Sequence, residues 1–225
     1  MITAGTRLVA LLGHPVDHSL SPRMQNAAFA ALALDWAYVA LDVPPERLDE
    51  ALRGLVAAGF AGANVTAPHK LAVAKLVEAD APSVNTLVFR DGRIDGTSTD
   101  AAVLEGLEAG RPVVLGDGGA AQAFLQALPH ARSFARRGEW PPDVGDADLV
   151  VNATAERDEV LVELHTGQTL VDLPYPATAT ARAAREVGAR VLDGYDVLVA
   201  QGAASFELWT GLPAPVETMR GALEP

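Results

Sequence analysis

The stretch Arg111-Pro112-Val113-Val114-Leu115-Gly116-Asp117-Gly118-Gly119-Ala120-Ala121 decides how the chain is read. A short apolar run stops at glycine, and an alanine-rich segment continues to about residue 128. This predicts a buried strand, a tight turn and a helix, with G-x-G-x-x-A at the junction. Gly116, Gly118, Gly119 and Ala120 leave room for close backbone approach, and the N–H groups that open the helix have no partner within it. Such a turn either binds the pyrophosphate of a dinucleotide or serves only to reverse the chain, and its place between strand and helix favours binding. Asp117 would weaken pyrophosphate binding unless its carboxylate points away.

Downstream, strands are expected over residues 147–152, 169–173 and 190–192, with a helix over 180–187. Together these extend a nucleotide-binding half built on a parallel sheet. Arg136 and Arg137 follow the strand-like Arg132-Ser133-Phe134, where dinucleotide folds choose between a ribose hydroxyl and a ribose phosphate. They read either as solvated surface arginines or as a clamp for a 2′-phosphate. A last helix over 197–209 contains Gln201 and returns the chain toward its first half.

Upstream, strands are expected over 7–13, 36–41 and 62–65, a helix starting at Pro22, and another over 46–58. Residues 85–89 and 93–96 fit a hairpin around Asp91-Gly92. Ala63-Asn64-Val65-Thr66-Ala67-Pro68-His69-Lys70 and Thr97-Ser98-Thr99-Asp100 then offer one amine and one carboxylate among hydroxyl and amide groups. Lys70 could be a surface lysine and Asp100 a turn residue. At the end of an apolar strand, however, this set is suited to moving a proton on a small polyhydroxylated molecule. Ser19 and Ser21 share a face only if their segment is extended. His14 and His18 lack further ligands at metal spacing, so no metal site is expected.

The chain has 225 residues, enough for one large domain or two small ones. With 49% hydrophobic and 20% charged residues it reads as a folded globular protein. The absence of cysteine excludes disulfides, zinc–thiolate sites and thiol nucleophiles. A formal charge of -12 argues against nucleic-acid and anionic-membrane partners. No signal-peptide pattern opens the sequence and no apolar run reaches membrane-spanning length, so a cytoplasmic location is expected.

Taken together, these blocks resemble the shikimate dehydrogenase family. The match includes residues 13–22, Asn64 to Lys70, Val84-Asn85-Thr86-Leu87, Thr99-Asp100, the glycine turn from Gly116, and Asn152-Ala153-Thr154. It continues through Asp172-Leu173-Pro174-Tyr175-Pro176 and the segment from Gln201 to Gly211, in the family's order across nearly the whole chain. The resemblance implies an α/β protein with an N-terminal substrate domain (1–104, joined by 203–225). It also implies a shortened Rossmann-like dinucleotide domain (105–202), with a cleft between the two. It further implies reversible reduction of 3-dehydroshikimate to shikimate with NADP, NAD being the lesser alternative, by a monomer or homodimer. In that scheme Lys70 and Asp100 form the catalytic pair. Ser19, Ser21, Asn64, Thr66, Asn85, Tyr175 and Gln201 bind substrate. Gly116, Gly118, Gly119, Ala120, Arg136, Arg137, Asn152, Ala153, Thr154 and Gly194 bind cofactor.

The sequence departs from the family pattern in several places. Gln25-Asn26 replaces His-Asn, Ser98-Thr99-Asp100-Ala101 replaces Asn-Thr-Asp-Gly, Val103 a glycine and Val197 a methionine. Ala135-Arg136-Arg137 stands for Asn-Arg-Thr. The chain is shorter than usual members, with length missing before Val84 and between Arg137 and Asp146, where too few residues remain for a crossover helix. Rival readings are a quinate or amino-analogue dehydrogenase, and a non-catalytic paralog with an eroded cofactor half.

Overall fold

A computed structural model describes residues 2–79, 81–138 and 140–224. The chain divides into two compact units: Met1–Thr99 with Val199–Pro225, and Asp100–Leu198.

Unit 1 begins with β1 (Arg7–Gly13), α1 (Ser21–Ala31), β2 (Trp36–Asp42), α2 (Leu48–Ala57) and β3 (Gly62–Val65). It continues with α3 (Lys70–Val73), β4 (Glu78–Ala79), β5 (Thr86–Arg90) and β6 (Arg93–Thr97). The sheet order is β2-β1-β3-β5-β6-β4. β1 pairs in parallel with both β2 and β3, and such a central strand is covered on both faces, which is why it reads as an uninterrupted apolar run. The parallel pairing gives way after β3: β5–β6 is the hairpin expected around Asp91-Gly92, and β3–β5 is antiparallel as well. The cause is local: Asp91 (φ 50°) and Gly92 (φ 77°) form a two-residue turn of the type that joins only antiparallel neighbours. Leu12, Val65, Leu87, Leu52 and Leu55 form the core between sheet and α2.

Unit 2 contains β7 (Pro112–Leu115), α4 (Gly119–Ala127), β8 (Arg132–Phe134) and β9 (Leu149–Asn152). Then come β10 (Thr169–Asp172), α5 (Ala179–Glu186) and β11 (Arg190–Leu192). Its five strands are all parallel, in the order β11-β10-β9-β7-β8. The order reverses between β7 and β9, which makes the carboxyl ends of these two strands the topological switch point where open α/β sheets bind ligands. The connection from β8 to β9 carries no helix among the described residues, as its length predicted. The same holds for residues 153–168 between β9 and β10, which the sequence did not reveal. Val144, Leu161, Val162 and Leu164 from these irregular segments cover the sheet beside α5, with Trp140 packed against them. On the other face, Phe124 of α4 packs with Val114, Val151 and Val197.

α6 (Gly194–Thr210) starts in unit 2 and continues into unit 1, followed by α7 (Val216–Gly221). It starts at Gly194 rather than at Val197, because Asp193 accepts the N–H groups of Tyr195 and Asp196 and so initiates the helix earlier. The units divide before Asp100 and after Leu198, whereas the sequence placed the divisions at 104 and 202. Ala101, Val103 and Leu104 pack into the unit 2 core, and the Gly202 carbonyl accepts a bond from Gln25 in unit 1. No helix among the described residues is long and apolar enough to cross a membrane.

Gly62 is a fixed point of unit 1. A Cβ there would lie 2.3 Å from the Leu87 carbonyl oxygen and 2.5 Å from Trp209 Nε1. That indole donates to the same carbonyl at 2.9 Å. Gly62→Ala is therefore expected to lower unfolding free energy by about 1–3 kcal/mol, the usual cost of overpacking, as read from urea denaturation. A midpoint equal to that of the wild type would show that the strand can shift without cost.

Candidate active site

β3 ends among polar groups because its last residues face hydroxyl-bearing neighbours. Asn64, 5% exposed, is the hub. Its Nδ2 lies 3.0 Å from the Asn85 carbonyl, 3.1 Å from Thr86 Oγ1 and 3.0 Å from Ser205 Oγ. Its Oδ1 accepts from the Tyr38 hydroxyl at 2.8 Å. Asn85 makes a second hub: its Oδ1 accepts from the Thr99 N–H at 2.7 Å and from Thr86 Oγ1 at 3.0 Å. Its Nδ2 donates to Thr99 Oγ1 at 3.0 Å and reaches Gln201 Oε1 at 3.5 Å. Ser205 Oγ donates to the Gln201 carbonyl at 2.9 Å within α6, and the bonds of Asn64 to Ser205 and of Thr99 Oγ1 to the Gln201 carbonyl at 3.1 Å tie the network to that helix.

The structure thus brings Asn64, Asn85 and Gln201 together, as expected. It adds Tyr38, Thr86, Thr99 and Ser205, which the sequence did not single out as binding groups. The signal for Thr86 and Ser205 lay inside the quoted motifs, but nothing there showed that these hydroxyls meet. Much of the capacity of Asn64 is consumed internally, so it holds its neighbours in place at least as much as it presents itself.

Thr66 is half-buried just past the end of β3, its N–H donating to Leu12 O at 2.8 Å. Lys70 is half-buried at the start of α3, where its carbonyl accepts from the Val84 N–H at 3.1 Å. The ring of His69 turns the other way. It is 1% exposed, with Nε2 2.7 Å from the Val43 carbonyl, so it anchors the loop rather than joining the polar cluster. Ser21 is buried at the first turn of α1 and its N–H donates to Ser19 Oγ at 3.3 Å. Gln25, fully buried, donates from Nε2 to the Gly202 carbonyl at 2.8 Å and pins α1 to α6.

Asp100 and Tyr175 belong to unit 2. Asp100 opens a 3-10 turn and is 7% exposed. Tyr175 stacks on Tyr195 at a centroid distance of 5.7 Å.

At the switch point, Gly116 adopts φ 121°, and a Cβ on it would meet the Ala153 carbonyl oxygen at 3.0 Å. Gly118 is exposed at the start of α4, and a Cβ there would meet nothing within 4 Å. No side chain caps that helix end, and Gly119 and Ala120 form its first residues. These features fit a pyrophosphate: a strand end packed tightly by one glycine, open space before another, and helix N–H groups behind. Asp117, between the two glycines, is exposed.

The loop after β9 is built in a chain of bonds. Buried Asp172 accepts from Asn152 Nδ2 at 2.7 Å, and burial raises its pKa while the Asn152 and Thr178 hydrogen bonds pull it down. Asn152 Oδ1 in turn accepts from the Thr154 N–H at 3.1 Å and its hydroxyl at 2.7 Å. Ala153 donates its N–H to the Leu115 carbonyl at 2.9 Å. Gly194 leaves no room for a side chain, since a Cβ would lie 2.4 Å from the Pro174 carbonyl oxygen. Its visible role is therefore close packing at the start of α6.

Arg136 and Arg137 follow β8, both exposed. Arg136 Nη2 lies 3.1 Å from Glu156 Oε2 and 2.9 Å from Glu159 Oε2. Its guanidinium also sits 5.9 Å from the centre of the Trp140 ring.

Residues 11–87 match the family model of the shikimate dehydrogenase substrate binding domain, and residues 194–224 that of the shikimate 5′-dehydrogenase C-terminal domain. The chain is similar to a shikimate dehydrogenase (NADP(+)) of Anaeromyxobacter dehalogenans, 42% identical over 273 aligned positions covering 100% of this chain and 98% of the relative. Among solved structures it resembles shikimate dehydrogenase from Aquifex aeolicus, with a TM-score of 0.90, 29% identity and full coverage (100%) of both chains. It also resembles shikimate 5-dehydrogenase from Thermus thermophilus in complex with NADP(H) and shikimate. There the TM-score is 0.85 at 31% identity, covering 96% of this chain and 98% of that one.

Proposed function

The chain belongs to the shikimate dehydrogenase family, and from that premise we propose that it catalyses the NADP-dependent, reversible reduction of 3-dehydroshikimate to shikimate. The observation that carries this reading is the hydroxyl and amide network around Asn64, Asn85 and Gln201. A ring bearing several hydroxyls needs amide and hydroxyl groups held in fixed positions, and the mutual hydrogen bonds of this network hold them so.

Bound NADPH supplies the hydride. Gly116, Gly118, Gly119 and Ala120 would hold its pyrophosphate, with Ala153 and Thr154 on the neighbouring loop and Arg136 and Arg137 toward the adenosine 2′-phosphate. Lys70 Nζ gives a proton to the oxygen that becomes the new hydroxyl and takes it back in the oxidative direction, and Asp100 is its carboxylate partner. Asn64, Thr66, Asn85, Tyr175 and Gln201 orient the ring, so that the reacting carbon and the proton donor meet in a single geometry. Gln25 stands where the family has histidine and serves packing here, while Asn152 and Gly194 shape the cofactor loops from within.

The test is absorbance at 340 nm with shikimate and NADP, run beside quinate and NAD. Reduction of NADP by shikimate with the highest kcat/KM of the four combinations is expected. A higher value with quinate would move the assignment to that substrate. We assign Ser19 and Ser21 to the substrate carboxylate. Ser19→Ala and Ser21→Ala are each expected to raise KM for shikimate by about tenfold or more with a smaller change in kcat, since a bond to a charged group contributes roughly 1.5–3 kcal/mol. Unchanged KM in both variants would remove these serines from the site.

A further inference from the structure

We propose that Glu156 and Glu159 set the cofactor preference by occupying Arg136, so that NADP is favoured over NAD less strongly than the arginine would otherwise allow. This rests on reading Arg136 as a contact for the 2′-phosphate. The guanidinium already spends Nη2 on two carboxylates, Glu156 Oε2 at 3.1 Å and Glu159 Oε2 at 2.9 Å.

Glu156 is not a loosely tethered surface group. Its side chain is 25% exposed, and its Oε1 accepts the N–H groups of Arg157 and Asp158, each at 3.0 Å. Its own N–H donates to Thr154 Oγ1 at 3.2 Å, and Thr154 is held by Asn152, which is held by buried Asp172. The carboxylate is therefore positioned from the switch point outward. The backbone N–H groups of Asp158 and Arg157 hold its pKa below the usual glutamate range, with Arg136 adding to the effect.

A 2′-phosphate carries about -1.5 to -2 charges at neutral pH. To reach Arg136 it must either displace the carboxylates or sit beside them, and both routes lower its affinity. A ribose 2′-hydroxyl meets no such penalty, because it can donate a hydrogen bond to a carboxylate at this edge. In NAD-binding folds an acidic residue after the second strand does the same; here the carboxylates come from the loop after β9.

The test is calorimetric titration of the whole chain with NADP and with NAD, in wild type, Glu156→Gln, Glu159→Gln, the double glutamine variant and Arg136→Ala. Glutamine preserves the shape and the acceptor for the loop N–H groups, and thermal melts check that each variant folds. Glu159→Gln is a second route, since Arg136 is the only hydrogen-bond partner of that side chain among the described residues. The double glutamine variant is expected to bind NADP at least about threefold more tightly, with NAD unchanged or weaker, from the loss of two exposed ion pairs and their repulsion of phosphate. NADP binding that stays the same or weakens in the glutamine variants, while Arg136→Ala loses NADP preference, would overturn the inference and leave the arginine assignment standing. An Arg136→Ala variant that binds NADP like the wild type would overturn both.

Discussion

Lys70→Ala is expected to lower kcat about 10²- to 10⁴-fold, the span typical of a lost general acid–base group, with KM for shikimate changed far less. The substitution removes the amine without disturbing the main chain beneath it. The Lys70 carbonyl accepts the N–H groups of Val84 at 3.1 Å and Ala74 at 3.4 Å, bonds that alanine keeps. The substrate contacts assigned to Ser19, Ser21, Asn85 and Gln201 do not involve the amine. A steady-state comparison at saturating shikimate and NADP measures the effect. A variant that retained more than about half of wild-type kcat would show that the proton comes from elsewhere.

Asn64→Leu is expected to destabilise unit 1 by about 3 kcal/mol or more, although leucine has the same branched outline of side-chain heavy atoms as asparagine. Removing the amide takes a donor from the Asn85 carbonyl, Thr86 Oγ1 and Ser205 Oγ and an acceptor from the Tyr38 hydroxyl, all in buried surroundings. A buried polar group left without its partner costs about 1–3 kcal/mol. Thr86 and Ser205 retain their mutual contact at 2.8 Å, which keeps the total below the full sum. For a chain of this size the melting temperature should fall by roughly 6–12 °C. A chain of two compact units need not melt in one step, so melts should be followed by tryptophan fluorescence and circular dichroism together. A loss under about 1 kcal/mol would show that the hydroxyls repair the network among themselves.

Much of the fold was legible because the deciding signals are local. β1, β3 and β11 fall on the ranges read from sequence, since each holds a short apolar run ended by a polar or glycine residue; β8 falls on its range too, although Arg132-Ser133-Phe134 is not apolar. The Asp91-Gly92 turn and the Gly116 to Gly119 junction were legible for the same reason: a backbone with positive φ needs particular residues at particular positions. The substrate-side motifs also carried Asn64, Asn85 and Gln201. They could not show that Tyr38 and Ser205 complete the cluster, because Ser205 reaches Asn64 across 141 residues of chain.

Other features had no local signal at all. Residues 153–168 cross the sheet without a helix, covering it with Leu161, Val162 and Leu164, which follow no helical or strand period. Whether His69 points into the cluster or beneath it depends on the Val43 carbonyl, supplied by another loop. Arg136 reads in sequence as a cation awaiting a phosphate, yet it meets two carboxylates that lie twenty and twenty-three positions further along. The sequence by itself determined the strands, the turns, the glycine-bound helix start and the family's set of chemical groups, because each depends on residues within a few positions of one another. Only the tertiary structure decided which of those groups spend their hydrogen bonds and charges on each other, because a side chain's partner is fixed by where distant backbone segments come to rest.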